Sequence, residues 1–425
     1  MEVSINTQLL KHLEQHKLIH DRQYGFRHKR STADLLSFVT NSWNKSLELH
    51  GESQIVALDI SKAFDQVWHD ALLNKLPSYG LPPKLCVWTS NFLSNRTLSV
   101  VVDGYCSAFH NINAGVLQGS VLAPTLFLLH INDLLSATKN PIHSFADDST
   151  LHSSFSFAKP VSNHLLETSR NAMQISLSQD IQTILDWGAK NLVQFNALKT
   201  QACNISHKKS TNTNAITMSG QTLQNNDTFN LVGVTFEQDL RWDKHISSIA
   251  SAASKKLGFL FRAKKYFTSS NLYTLYVAQI RPSLEYCSHV WGAAPPTTLN
   301  ILDSVQRRAI RLINDPALTD RLPSLAHRRA VGDLSLFYRY FYGLCSNELN
   351  SIIPPVIVPS RQTRGASGLH PFAVTLKTSR TSHFDRTFIP RVSRLWNGLP
   401  SHAFPSSPNL QTFKSRINKL PLVLL

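Results

Sequence analysis

Two short apolar runs, each closing on acid, constrain this chain more than any other feature in it. Ile55-Val56-Ala57-Leu58 ends at Asp59, and Ser144-Phe145-Ala146 leads into Asp147-Asp148. A run that short and that apolar reads as a buried strand. Residues 54–60 are therefore expected as a strand with Asp59 at its end, and 143–155 as a hairpin with Asp147 and Asp148 at its tip. Carboxylates on adjacent strands are hard oxygen ligands at rigid positions, which is what Mg²⁺ requires. A bound dication also removes the repulsion between neighbouring acids. Taken singly, each acid has a plainer explanation: an Asp pair suits a turn, and Asp59 suits a helix N-cap.

The rest of the chain alternates helix and strand. Helices are expected at 4–18, 33–49, 84–93, 122–135 and 176–190, with Pro124 in a first turn where proline is tolerated. Phe64, Val67, Ala71, Leu72 and Leu76 recur at helical spacing directly after Asp59. Residues 98–112 read as a hairpin around Gly104, and 231–236 as a strand. The Ser/Thr/Asn-rich piece 206–230 reads as a loop or mobile hairpin. Helices dominate 245–313, while Pro and Ser from 352 onward predict less regular structure. No internal repeat is visible, which excludes a solenoid.

Charge narrows the class of partner. Lys and Arg number 43 against 27 Asp and Glu, a formal net charge of +16, which favours a polyanion over an acidic small molecule. No apolar run reaches the roughly 18 residues of a membrane span, and the N-terminus lacks the basic-then-apolar layout of a secretory signal. Cys86, Cys106, Cys203, Cys287 and Cys345 lie far apart with no C-x-x-C spacing, so neither a disulfide framework nor a zinc knuckle is expected. Lys255, Lys256, Arg262, Lys264 and Lys265 are interleaved with Phe259, Phe261, Tyr266 and Phe267. Arg307, Arg308 and Arg311 lie off the apolar stripe Leu302, Val305, Ala309 and Leu312. Both clusters suit phosphate contacts that position a nucleic acid without reading its sequence. So does the stretch 351–394, where seven Lys or Arg face the single acid Asp385.

Four motifs in order carry a resemblance. Gln23-Tyr24-Gly25-Phe26-Arg27 with Arg30-Ser31-Thr32 comes first, then Leu58-Asp59-Ile60-Ser61-Lys62-Ala63-Phe64-Asp65. Ala114-Gly115-Val116-Leu117-Gln118-Gly119-Ser120-Val121-Leu122-Ala123-Pro124 and Phe145-Ala146-Asp147-Asp148 follow. Together they resemble the fingers motif and the three palm motifs of non-LTR retrotransposon reverse transcriptases, particularly the jockey-like lineages. Asn191-Leu192 with Lys199 resembles the fourth motif, and Leu231-Val232-Gly233-Val234 the primer-grip strand. Group II intron maturases and telomerase share the palm logic but match the fingers and second palm motifs less well.

The resemblance implies an α+β right-hand polymerase: an antiparallel palm sheet backed by helices, partial fingers and a helical thumb. Its domains would be partial fingers at 1–53, palm at 54–237, thumb at 238–320 and a basic C-terminal extension at 321–425. The implied activity is RNA-directed DNA synthesis from deoxynucleoside triphosphates on an RNA template and DNA primer, inside the cell in nucleus or cytoplasm. Two Mg²⁺ ions, for which Mn²⁺ can substitute, would be held by Asp59, Asp147, Asp148 and the Ile60 carbonyl. Phe64 would block a 2′-hydroxyl, Gln118 would approach nucleotide and template, Arg27 and Arg30 would meet the triphosphate, and Lys199 would protonate pyrophosphate. Asp65 is read as structural. Leu117 stands where proline is usual and Lys29 where a small residue is common. The chain is also expected to be N-terminally truncated and to lack the endonuclease domain. The alternative is a catalytically inactive remnant that keeps the fold and binds RNA.

Overall fold

In the computed structural model, residues 1–208, 215–357 and 370–422 are described. The chain forms two compact units, one of residues 1–35 and 52–232, the other of 36–51 and 233–425.

The first unit is built on a four-stranded antiparallel sheet. Its strands are β1 (Glu52–Leu58), β6 (Ile142–Phe145), β7 (Asp148–Phe155) and β8 (Gln201–Ile205), in the order β6-β7-β1-β8. Every residue of β1 is buried, as befits a central strand. Helices α1 (Glu2–Gln15), α3 (His69–Lys75), α4 (Pro83–Leu93), α5 (Ala123–Ile131) and α6 (Asn163–Asn191) complete the unit, and α2 (Thr32–Glu48) links it to the second. Val56 and Leu58 of β1 share one core with Leu126 and Phe127 of α5 and with Leu177, Ile181 and Ile184 of α6. This is the α+β sheet backed by helices that the sequence implied.

Between α4 and α5 stands a two-tier ribbon, with β2 (Arg96–Leu98) on β5 (His110–Ile112) and β3 (Val101–Val102) on β4 (Tyr105–Cys106). Asp103 and Gly104 both take positive φ at its tip, the geometry that matches the twist of a two-residue hairpin. Ser219-Gly220 repeats the device between β9 (Thr217–Met218) and β10 (Gln221–Thr222), inside the piece expected as loop or hairpin. Residues 209–214 of that piece lie outside the described residues.

Four expectations are corrected. The stripe after Asp59 is not a helix from Phe64: residues 61–66 are turns, with Lys62 at positive φ, and the helix starts at His69. The helix expected at 122–135 changes to a 3₁₀ turn at Asn132, whose side chain caps the chain after α1 through Leu18 O (2.9 Å) and His20 N (2.8 Å). The helix expected from 176 starts at Asn163, where the Ser162 hydroxyl accepts from Leu165 N. The strand expected at 231–236 is two strands, β11 (Thr228–Leu231) and β12 (Val234–Glu237), parted by Val232-Gly233 at positive φ.

The second unit is helical: α7 (Asp243–Arg262), α8 (Ser269–Leu275), α9 (Arg281–Glu285), α10 (Ser288–Trp291), α11 (Pro296–Ile313), α12 (Pro316–Thr319) and α13 (Leu325–Phe341). The stripe Leu302, Val305, Ala309 and Leu312 of α11 is buried as expected, and Arg307, Arg308 and Arg311 are exposed. The region from 352 onward is more regular than expected. After α14 (Asn347–Ser351) and α15 (Ser382–Asp385), α16 (Phe388–Asn397) and α17 (Leu410–Ile417) pack on α13. Trp396 is fully buried there, with ring centroids 4.9–5.1 Å from Phe337, Phe341 and Phe404.

Candidate active site

The β1–β7 ladder pairs Leu58 with Ser149, so one step further in the same register Asp59 comes level with Asp148, the first residue of β7. The β6–β7 ladder ends with Phe145 opposite Asp148, which makes Ala146-Asp147 a two-residue turn. Ala146 takes φ +58, as a tight antiparallel turn requires of one central residue. All three acids thus come to one end of the sheet. Asp59 and Asp147 are half-buried and Asp148 sits at the exposed rim.

Their electrostatics follow from that crowding. Desolvation raises the Asp147 carboxyl above its ordinary value, and the Asp59 charge adds to the rise. Desolvation likewise raises Asp148, with further contributions from Asp147 and then Asp59. Among the described residues no group of three or more His, Cys, Asp and Glu forms a metal cage by itself. Carboxylates are hard oxygen donors, the ligand type that divalent cations such as Mg²⁺ take.

The backbone of Asp59 is held from the other side. Its N–H donates to the Thr200 hydroxyl (3.3 Å) and its carbonyl accepts from Asn196 N (2.8 Å), while Ser61 N donates to Gln194 O. Ile60 pairs with Phe195 as a non-hydrogen-bonded pair, which leaves the Ile60 carbonyl outside that pairing. Lys199 is exposed on the same turn, which the Asn196 side chain braces by accepting from Leu198 N and Lys199 N. Asn196 and Thr200 escaped the sequence reading; both lie beside Lys199 in the fourth motif.

The turns after Asp59 are stitched to the second palm motif. Val116 N donates to Phe64 O, Gly115 N to Val67 O, and the Gly115 carbonyl bonds the His69 ring (2.7 Å). Gly115 has φ +89, and a Cβ there would meet Asp65 O at 2.7 Å, so the site needs glycine on both counts. Phe64 is half-buried, stacked on Phe127 at 4.5 Å with Phe26 edge-on at 6.1 Å. The Gln118 amide donates to Asp65 (2.8 Å), so Asp65 carries a bond to a candidate site residue. Ser120 and Val121 N both donate to Glu2 of α1, which lowers the Glu2 pKa chiefly through the Ser120 bond.

Arg27 and Arg30 both have acid partners in this structure. The Arg27 guanidinium is buried in a bidentate pair with Glu14 (both contacts 2.7 Å) and also donates to His20 O and Gln23 O. Arg30 pairs with Asp21 and lies over the Tyr24 ring. Arg27 thereby braces the first motif through Gln23 O, and Arg30 is held by the residue two places before that motif. Gln23, which the sequence reading gave no role, is 1% exposed and bonds the acidic hairpin directly.

A strand-end acid level with an Asp pair, on an antiparallel sheet backed by helices, defines a protein of the polymerase palm class. Residues 4–236 match the family described as reverse transcriptase (RNA-dependent DNA polymerase). The chain belongs to that family.

It is 28% identical over 320 residues to the RNA-directed DNA polymerase from mobile element jockey of Drosophila melanogaster, covering 74% of this chain and 34% of that one. Against its Drosophila funebris counterpart the figures are 30% over 305 residues, 69% and 32%. Against the probable RNA-directed DNA polymerase from transposon BS of Drosophila melanogaster they are 26% over 315 residues, 71% and 33%. The chain spans about a third of the length of these relatives. Among solved structures, apo telomerase from Candida tropicalis aligns with a TM-score of 0.37 at 14% identity, covering 77% of this chain and 53% of that one.

Proposed function

We propose that this chain is an RNA-directed DNA polymerase that extends a DNA primer on an RNA template from deoxynucleoside triphosphates, using two Mg²⁺ ions. The observation that carries the reading is the register that sets Asp59 beside Asp148 at the Asp147 turn. Bound Mg²⁺, or Mn²⁺ in its place, supplies charge neutralisation and Lewis-acid polarisation at the phosphoryl oxygens. Asp59, Asp147 and Asp148 would hold the ions, with the Ile60 carbonyl as a further oxygen. Phe64, braced by Phe127 and Phe26, is a wall of the kind that excludes a 2′-hydroxyl. Gln118 would meet the nucleotide from its bond to Asp65. Lys199, exposed on the turn bonded to Asp59, would donate a proton to pyrophosphate.

On this reading, residues 54–237 act as palm behind partial fingers at 1–53, and 238–320 as thumb before the extension at 321–425. The work would be done in nucleus or cytoplasm; among the described residues no helix is long and apolar enough to cross a membrane.

Primer extension on an RNA template by the purified chain, with Mg²⁺ and labelled deoxynucleotides, tests the proposal. Wild-type chain should extend the primer, and Asp147→Asn should abolish extension while leaving RNA binding intact. A wild-type chain that binds RNA but extends nothing would instead support a non-catalytic RNA-binding role.

A further inference from the structure

One side-chain amide links the first motif to the turn of the acidic hairpin. The Gln23 side-chain oxygen accepts from Ala146 N (2.9 Å) and from Gly25 N (2.9 Å), and its nitrogen donates to Ala146 O (3.3 Å). The amide thus takes both the N–H and the C=O of Ala146, the residue immediately before Asp147. Ala146 is a non-glycine residue at φ +58, a conformation that persists only where the surroundings impose it. The backbone either side of Gln23 is fastened to the same hairpin: Ser144 N donates to Arg22 O (2.9 Å) and Tyr24 N to Ser144 O (2.8 Å). The approach is so close that a Cβ on Gly25 would lie 2.3 Å from Ala146 N. Arg27, anchored on Glu14, bonds the Gln23 carbonyl and fixes the clamp from behind.

We infer that Gln23 is a positioning residue: it holds Ala146 in the left-handed conformation and so aims Asp147 and Asp148 at the divalent cation. The inference rests on the metal-dependent reading proposed above. Groups that orient metal ligands typically change metal affinity or activity by about 10–100-fold when removed. Gln23→Met keeps the volume and removes all three bonds. Ala146→Gly makes the left-handed conformation accessible without a clamp, because glycine adopts positive φ freely.

The test is Mn²⁺ binding to the full chain, read from the free-ion electron paramagnetic resonance signal, with primer extension run in parallel. Asp147→Asn should abolish the site. Gln23→Met should weaken Mn²⁺ binding about tenfold, with faster hydrogen exchange at the Ala146 amide. Gln23→Met/Ala146→Gly should recover much of the affinity, a rescue that a role confined to folding would not give. Should Gln23→Met fail to fold, Gln23→Asn, one methylene too short to span the contacts, reads the same shift. Wild-type affinity in the Gln23 variants, or weakened binding without rescue by Ala146→Gly, overturns the inference. If the series behaves as expected but wild type extends no primer, the polymerase reading fails and the positioning role stands. If wild type takes up no Mn²⁺, both fall.

Discussion

At the scale of single residues, the acids at the sheet's end carry opposed demands of stability and function. The Asp147 pKa is raised, first by desolvation and then by Asp59, so the folded state holds this proton to higher pH than the unfolded chain does. Between the usual Asp value and the raised one the native state binds more protons. Unfolding free energy therefore falls as pH climbs through that window, and the loss is complete above the raised pKa. Asp147→Asn removes the charge. It should match wild type in thermal stability near pH 3 and exceed it at pH 7, by less than about 1 kcal/mol because the half-buried group is partly screened by solvent. Mg²⁺ should close the gap by stabilising wild type alone. Melting curves against pH, with and without the ion, check both points; equal stability at pH 7 would mean that the carboxylates do not strain the fold. The placement of these acids at a strand end and a hairpin tip was legible because an apolar run and turn chemistry are local signals; their reading as one site came from the resemblance of the surrounding motifs. The ties of Arg27 and Arg30 were not legible, because nothing local shows that Glu14 and Asp21 take up their charge.

At the scale of elements, the sheet was legible and the C-terminal helices were not. The strand β1 announces itself as an uninterrupted apolar run, whereas α16 and α17 are short helices separated by Pro- and Ser-rich connections that dominate the local composition. The signal was present in Phe388, Ile389, Val392 and Trp396, which recur at helical spacing and are all buried. Trp396 fixes this packing in more than one way. Its indole N–H donates to Phe372 O (2.8 Å), its carbonyl bonds the His370 ring (2.7 Å), and its ring meets those of Phe337, Phe341, Phe404 and Phe413. Trp396→Ala should cost about 3–5 kcal/mol, the range for emptying a packed aromatic site. Urea unfolding of the full chain measures it. A loss under about 1 kcal/mol would mean that α16 is only loosely docked on α13. The same packing engages several of the cations counted in this region, while Lys377 and Arg386 stay exposed. Arg391 is paired with buried Asp333, Arg394 with Asp385, and Arg380 donates to Glu48 O and Leu47 O. Arg361 and Arg364, counted with them, lie outside the described residues.

At the scale of the whole molecule, a net charge of +16 favours a polyanionic partner but does not say where one would bind. The structure distinguishes cations already paired from cations still open to solvent. Lys255, Lys256, Arg262, Lys264 and Lys265 are all exposed on and just after α7, beside Phe259, Phe261 and Tyr266, which are 61%, 68% and 75% exposed. Large aromatics left in water among cations suit stacking on unpaired bases together with phosphate contact. On the adjoining helix α11, Arg308 reaches Ser254 of α7 (2.7 Å) and so joins the two rows of charge. RNA affinity should therefore depend on the α7–α11 face, and its logarithm should fall linearly with that of salt concentration. Replacing Lys255, Lys264 and Lys265 by alanine should make the slope shallower by roughly 0.7 for each single-strand phosphate that is no longer neutralised. Arg380→Ala should lower thermal stability through its Glu48 ties and leave the slope unchanged. Fluorescence anisotropy of a labelled RNA over a salt series separates the two. A slope that moves with Arg380 and not with the lysines would place the interface on the C-terminal segment, and the exposed aromatics of α7 would then need another partner.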